Sequence, residues 1–328
     1  MRSERLEKAL KDGVLHLPAE GRIAVWRPRA GDDLGALPKD RVVVLTGFRP
    51  DHDHFAALGY DVTPAPPYAA GIVCLPRSRD HGRALLAQAA VEVAPGGPVA
   101  VDGQKTDGID PALKDLRGRL AVGEALSKAH GKLAVFAAGP GLQDWAAALR
   151  TVEGGFVTRP GVFSAEGVDR GSALLAAALP ARLGPKVVDL GAGWGYLARA
   201  VLSREGVKRL DLVEAEAEAL DCARANVTDP RARFHWADGT RFRPESLVET
   251  VVMNPPFHLG READAGLGLA FIAAARGMMA PDGVLWLVAN RHLPYDAALS
   301  AAFLEVETIG GDGAFHVIRA ARPRRLRP

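Results

Sequence analysis

Cysteine is nearly absent: only Cys74 and Cys222 occur in 328 residues. Two thiols build neither a disulfide framework nor a metal cluster, and they fit reduced, buried side chains in a cytoplasmic protein. Long apolar runs are also missing, so no segment reads as a transmembrane helix and no membrane association is expected. The start, Met1 to Glu7, is charged and no apolar stretch follows it, so no signal peptide is expected. An excess of one charge sign is lacking too. Lys and Arg number 41 against 39 Asp and Glu, a net +2 that by itself does not argue for nucleic acid. The nine histidines are scattered, without a pair at metal-ligand spacing, so no metal is expected. What is plentiful is hydrophobic residues, 48% of the chain, enough over this length for two globular domains.

One stretch carries chemistry by itself, Val251-Val252-Met253-Asn254-Pro255-Pro256-Phe257-His258. Three apolar residues end a buried strand, and two prolines, which donate no ladder hydrogen bond, force the chain out of the sheet at Asn254. An amide, free carbonyls and a flat ring are thereby set at a strand's C-terminal edge, where open α/β sheets bind ligands. The Asn254 side-chain oxygen and a backbone carbonyl can each accept a hydrogen from a planar NH2, and Phe257 can stack on the ring that bears it. Asn254, Pro255, Pro256 and Phe257 are the candidate catalytic residues.

Upstream, Lys186 to Leu190 reads as a strand, followed by Gly191-Ala192-Gly193-Trp194-Gly195-Tyr196 and a helix. Glycines permit close backbone approach to a ligand. The third glycine position of a dinucleotide loop is here Tyr196. Asp189 at the strand end repels a pyrophosphate but suits the ammonium and sulfonium of S-adenosylmethionine. The next strand, Leu210 to Val213, ends in Glu214, placed to accept ribose hydroxyls. A third, Phe234 to Trp236, leads to Asp238, which can accept from the adenine amino group beside the Ala237 N–H. Asp189, Gly191, Gly193, Glu214, Asp238 and Asn254 are thus candidate cofactor-binding residues. Val284 to Val288 is a further strand, and Phe303 to Thr308 with Ala314 to Ile318 forms a terminal antiparallel hairpin. Ser172 can cap the helix that starts at Ala173.

The first half has an α/β layout without nucleotide-binding chemistry. Strands are expected at Val42–Leu45, Gly71–Leu75, Val99–Val101 and Leu133–Phe136, and helices over Arg83–Ala90, Leu113–His130 and Leu142–Leu149. Val42–Leu45 runs into Thr46-Gly47-Phe48, not into a glycine loop. The layout favours a degenerate copy of the second domain over an unrelated one, with the division after Gly154: residues 1–154 and 155–328. Two basic clusters stand out, Arg77/Arg79/Arg83 and the tail Arg319/Arg322/Arg324/Arg325/Arg327.

Together, Gly161-Val162-Phe163-Ser164, Asp169 with Gly171-Ser172, the Asp189 loop, Asn254-Pro255-Pro256-Phe257-His258, Asn290 with Leu293-Pro294-Tyr295, and the Phe315 strand resemble a known family. They are similar to class I S-adenosylmethionine-dependent methyltransferases of the methyltransferase small domain type, and more closely to the bacterial RsmC/RlmG-like ribosomal RNA guanine-N2 methyltransferases. The resemblance implies two Rossmann-like domains: a catalytic seven-stranded α/β sheet with a terminal antiparallel hairpin, and a degenerate N-terminal copy that binds substrate or is structural. It adds Phe163 and Ser172 to the cofactor-binding set. It also implies S-adenosyl-L-methionine as cofactor, methylation of a guanine N2 in small-subunit (16S) ribosomal RNA, ribosomal RNA or the small subunit as partner, and a cytoplasmic monomer. The Asn-Pro-Pro-Phe box alone equally fits N6-adenine or protein-glutamine methylation. A non-catalytic RNA-binding assembly factor and a nicotinamide oxidoreductase are the readings from other classes. The intact loop and Asn254 disfavour the first, and Tyr196 the second.

Overall fold

The apolar runs of the second half become one sheet. The computed structural model describes residues 2–256, 258–259, 262–263 and 265–324. Phe257, Arg325 and Arg327 therefore lie outside the described residues. The chain divides into two units, residues 1–149 and 150–328.

The first unit contains α1 (Arg2–Lys11), β1 (Ile23–Trp26), β2 (Val42–Leu45), α2 (Arg49–Ala57), β3 (Ala70–Cys74), α3 (Arg79–Glu92), β4 (Pro98–Gln104), α4 (Ile109–Arg117), β5 (Leu126–Lys128) and β6 (Gly131–Ala137). Its strands run β2-β1-β3-β4-β6-β5, parallel through β4, with β6 antiparallel to both neighbours. Every residue of β1 and β3 is buried, as a sheet covered on both faces requires. Arg5 of α1 is completely buried; its guanidinium donates to both Asp102 carboxylate oxygens, at 2.7 and 2.9 Å, and to the Lys128 and Ala129 carbonyls.

Gly71 marks how closely this sheet is covered. A Cβ there would meet Trp26 Cζ3 at 2.7 Å and Val93 Cγ2 at 3.0 Å. Gly71→Ala is therefore expected to lower stability by about 1–3 kcal/mol, read as a lower urea midpoint at unchanged slope.

The second unit opens with a hairpin, β7 (Arg150–Val152) and β8 (Phe156–Thr158). Then follow α5 (Arg170–Ala178), β9 (Lys186–Leu190), α6 (Tyr196–Leu202), β10 (Arg209–Glu214), α7 (Ala217–Asn226), β11 (Ala232–Trp236), β12 (Val248–Met253), the short pair β13 (His258–Leu259) and β14 (Glu262–Ala263), α8 (Ala265–Met278), β15 (Met279–Asn290), α9 (Asp296–Ala302), β16 (Phe303–Gly311) and β17 (Phe315–Pro323). The large sheet is seven-stranded, ordered β11-β10-β9-β12-β15-β17-β16, with β17 antiparallel to β15 and β16. This is the expected class I sheet with its terminal hairpin.

Without β11, the order and directions of the second sheet match those of the first strand for strand, so the first unit is a copy that lacks one edge strand. In this correspondence β1 takes the place of β9. It ends in Trp26 and runs into Arg27-Pro28-Arg29, so no glycine loop follows the strand that would need one.

Several local expectations change. The chain divides before Arg150 rather than after Gly154, because a cut at 154 would part β7 from β8. The helix expected over Leu113–His130 ends at Arg117: Gly118 caps it, and the Gly123 N–H pairs with the Val135 carbonyl at 2.9 Å. Leu142–Leu149 holds a single 3-10 turn, Gln143–Trp145. The described part of the basic tail is tied down: Arg319 and Arg322 both pair with Glu305, and Arg324 donates to the Ser300 and Phe303 carbonyls.

Candidate functional site

β9 and β12 are neighbours, with Asp189 opposite Val252. Past their C-terminal ends lies a cleft of about 380 Å³. Of the expected site residues, Phe163, Ser172, Gly191, Gly193 and Asn254 line it, together with Asp169, Trp194 and Tyr196. Among the described residues no Lys or Arg lines it.

The glycine loop is tied to the neighbouring strand β10: the Gly191 and Ala192 N–H groups both reach the Val213 carbonyl, at 2.9 and 3.0 Å. Gly193 has φ +55°, and a Cβ built there meets nothing within 4 Å, so the cleft stays open above it. Trp194 is buried and its indole N–H donates to the Phe163 carbonyl at 2.9 Å, which anchors the Phe163 segment to the loop. The Phe163 ring itself is 58% exposed. Asn226 fastens the loop to the hairpin. Its side chain accepts from Val157 N–H at 2.7 Å and donates to the carbonyls of Val157 and Trp194, both at 2.8 Å.

Asn254 leaves β12 directly before Pro255, which is buried, and Pro256, which is exposed. Its Nδ2 donates to Asp169 Oδ2 at 2.8 Å and to Ser172 Oγ at 2.9 Å. Its Oδ1 has no hydrogen-bond partner among the described residues. Ser172 is thus not the cap of α5. That place belongs to Asp169, whose side chain accepts from the Ser172 N–H, because the helix begins at Arg170.

The acids sit behind and beside the loop. Asp189 is completely buried and does not line the cleft; both its oxygens lack hydrogen-bond partners among the described residues. Burial, and then the nearby Glu214 carboxylate, push its pKa up to about 8. Glu214 accepts from the Gly193 and Glu216 N–H groups, each at 2.8 Å, so it closes the loop while each oxygen keeps a second lone pair. Burial raises its pKa against these bonds. Asp238 Oδ1 takes both the N–H and the hydroxyl of Thr240, and Arg241 stands 3.7 Å from Oδ2. The Ala237 N–H, expected beside the adenine, is engaged by the Glu214 carbonyl at 3.0 Å because β10 and β11 continue their ladder there.

These features fit S-adenosylmethionine. A glycine cradle is backed by two acids, one with orphaned oxygens, and among the described residues no cation lines the cleft to hold a pyrophosphate. No group of residues among those described could hold a metal. Among the described residues no helix is long and apolar enough to cross a membrane. Sequence reasoning noticed Asp169 only as part of the resemblance, and it passed over Asn226. The Asp-x-x-Ser spacing ahead of a helix was the available signal for the former.

Comparison with known proteins agrees with this geometry. Residues 153–319 match the methyltransferase small domain family. A ribosomal RNA small subunit methyltransferase C of Alcanivorax borkumensis is 35% identical over 78% of this chain and 82% of its own. That of Pseudomonas aeruginosa is 32% identical over 79% and 81%. A large subunit methyltransferase G of Streptomyces coelicolor is 34% identical over 51% of this chain and 45% of its own. The solved T. thermophilus 16S rRNA N2 methyltransferase RsmC, in complex with AdoMet and guanosine, has TM-score 0.77 at 24% identity, covering 98% of this chain and 91% of that one. The shared fold, the cleft and these relatives together place the chain in the methyltransferase small domain family, among the RsmC/RlmG-like ribosomal RNA methyltransferases.

Proposed function

We propose that this protein transfers a methyl group from S-adenosyl-L-methionine to the exocyclic N2 of a guanine in small-subunit (16S) ribosomal RNA. One observation carries the acceptor chemistry: both Nδ2 hydrogens of Asn254 are engaged by Asp169 and Ser172, so only its oxygen remains to meet a substrate. An amide presented as a pure acceptor suits an NH2 group and not a carbonyl.

In this reading Asn254 Oδ1 and the Pro255 carbonyl accept the two N2 hydrogens and turn the nitrogen lone pair toward the methyl group, while Phe257 stacks on the base. The bound cofactor supplies an electrophilic methyl on a sulfonium, with a neutral thioether as leaving group. The residues then contribute chiefly orientation and exclusion of water. Phe163 and Trp194 wall the cofactor, Glu214 meets the ribose hydroxyls, Asp238 the adenine, and the buried Asp189 balances positive charge. The target guanine must leave its stack to reach the cleft.

Glu214→Gln is expected to weaken S-adenosylmethionine binding about tenfold by titration calorimetry, a loss of about 1.4 kcal/mol, because the amide keeps one acceptor oxygen where the carboxylate has two and its NH2 must face the Gly193 or the Glu216 N–H.

The first unit contributes RNA contact through its own cleft of about 590 Å³, lined by Arg77, Arg79 and Arg83. Arg79 and Arg83 pair with Asp115 at 2.8 and 2.9 Å, whereas Arg77 has no partner among the described residues and is placed to meet a phosphate. Binding through such contacts weakens with salt.

The test is mass mapping of 16S ribosomal RNA from a strain lacking this protein, with restoration by the purified enzyme and labelled cofactor. N2-methylguanosine should disappear and return. Label in adenine or in protein instead would overturn the guanine assignment.

A further inference from the structure

We infer that Asp169 is a positioning residue for methyl transfer, holding the Asn254 amide in the single orientation that leaves Oδ1 as its unpaired acceptor. The inference rests on the guanine-N2 reading and adds to it the group that enforces acceptor polarity. One oxygen, Asp169 Oδ2, accepts from both the Ser172 N–H and Asn254 Nδ2, each at 2.8 Å. The second Nδ2 hydrogen goes to Ser172 Oγ at 2.9 Å.

A carboxylate accepts and never donates, whereas a neutral side chain in its place could do either. Turning the Asn254 amide over would set Oδ1 against Oδ2, two acceptors in contact. It would also aim an NH2 at the substrate's own NH2. The lock is built from distant pieces, since Asp169 caps α5 and Asn254 directly follows β12. Gly171 keeps it closed: a Cβ there would lie 3.1 Å from Asp169 Oδ2 and 3.2 Å from the Phe315 ring. The same oxygen that starts the helix therefore sets the polarity of the catalytic amide.

Asp169→Ser separates the two duties, because serine is a good helix cap but is too short to reach Asn254. The variant is expected to keep its melting temperature and cofactor affinity while kcat falls about 10- to 100-fold. Combined with Asn254→Ala, it should cause no loss beyond that of Asn254→Ala alone, since the two act through one group. The chain has three asparagines, Asn226, Asn254 and Asn290, so selective 15N-amide labelling gives a short spectrum. In Asp169→Ser the Asn254 NH2 signals should shift and broaden while the other two hold. If Asp169→Ser fails to fold, Asp169→Asn, an equally good cap, should show two sets of Asn254 signals. Unchanged kcat in a folded Asp169→Ser variant, additive losses in the double variant, or an unmoved Asn254 amide would each overturn the inference. The spectrum needs no RNA. It decides the positioning role even if the wild-type enzyme leaves guanine unmethylated, a result that would remove only the substrate reading.

Discussion

Asn254→Ala is expected to slow methyl transfer about a thousandfold while S-adenosylmethionine still binds. The amide just past β12 accepts from the attacking amine, beside the Pro255 carbonyl, and aligns its lone pair, so removing it takes away orientation rather than electrophile. Its Nδ2 bonds to Asp169 and Ser172 would also be lost, but Asp169 keeps its bond to the Ser172 N–H, so α5 retains its cap. Single-turnover rates with saturating cofactor, beside calorimetric cofactor binding, separate the outcomes. A fall in cofactor affinity as large as the fall in rate would make Asn254 a cofactor ligand first. Unchanged rate would remove it from the mechanism.

The second large effect has opposite signs in two measurements. The Asp189 carboxyl is fully buried, and its pKa is pushed up from 3.8 to about 8. Between about pH 4 and about pH 8 the unfolded chain has given up this proton while the folded chain keeps it, so stability falls as pH rises through that window. Asp189→Asn removes the titration. It should stabilise the cofactor-free protein at pH 8 by on the order of 2–4 kcal/mol and flatten the pH dependence above pH 4. Above about pH 8, where Asp189 of the folded chain is ionised, the same change also removes a negative charge behind the glycine loop, so affinity for the positively charged cofactor should drop about tenfold or more there. Urea unfolding at pH 5 and pH 8, together with cofactor titration, reads both signs. A variant that is less stable at pH 8 would mean that the carboxylate holds the loop through bonds of its own.

What the sequence disclosed follows a physical rule. Features set by one short stretch were legible: Pro255 and Pro256 had to end β12, and Gly191 to Gly195 had to form a loop between a strand and a helix. Features set by residues distant along the chain were not. Nothing local to Asp169 says that its oxygen meets an amide beyond β12, and nothing at Ala237 says that its N–H is taken by the Glu214 carbonyl. The strand Ile23–Trp26 escaped notice because four apolar residues between Arg22 and Arg27 carry little periodic signal, although this strand is the counterpart of the one that bears Asp189. The helix expected over Leu113–His130 failed for the opposite reason. Its composition favours a helix, but Gly118 and Gly123 interrupt it, and tertiary pairing with β6 claims the remainder.

The Asn226 side chain fastens the hairpin β7–β8 to the second unit. Its amide imitates a neighbouring strand, taking the N–H and the carbonyl of Val157 as a backbone would, and it reaches the carbonyl of Trp194 as well. The hairpin that looks like a linker in the sequence is therefore a peripheral strand pair of the second unit. A proteolytic nick between Gly154 and Gly155 would leave Phe156 to Thr158 attached to the C-terminal fragment but without Arg150 to Val152 to pair with, and the clasp over the glycine loop would loosen. A fragment that begins at Arg150 carries its own fastener.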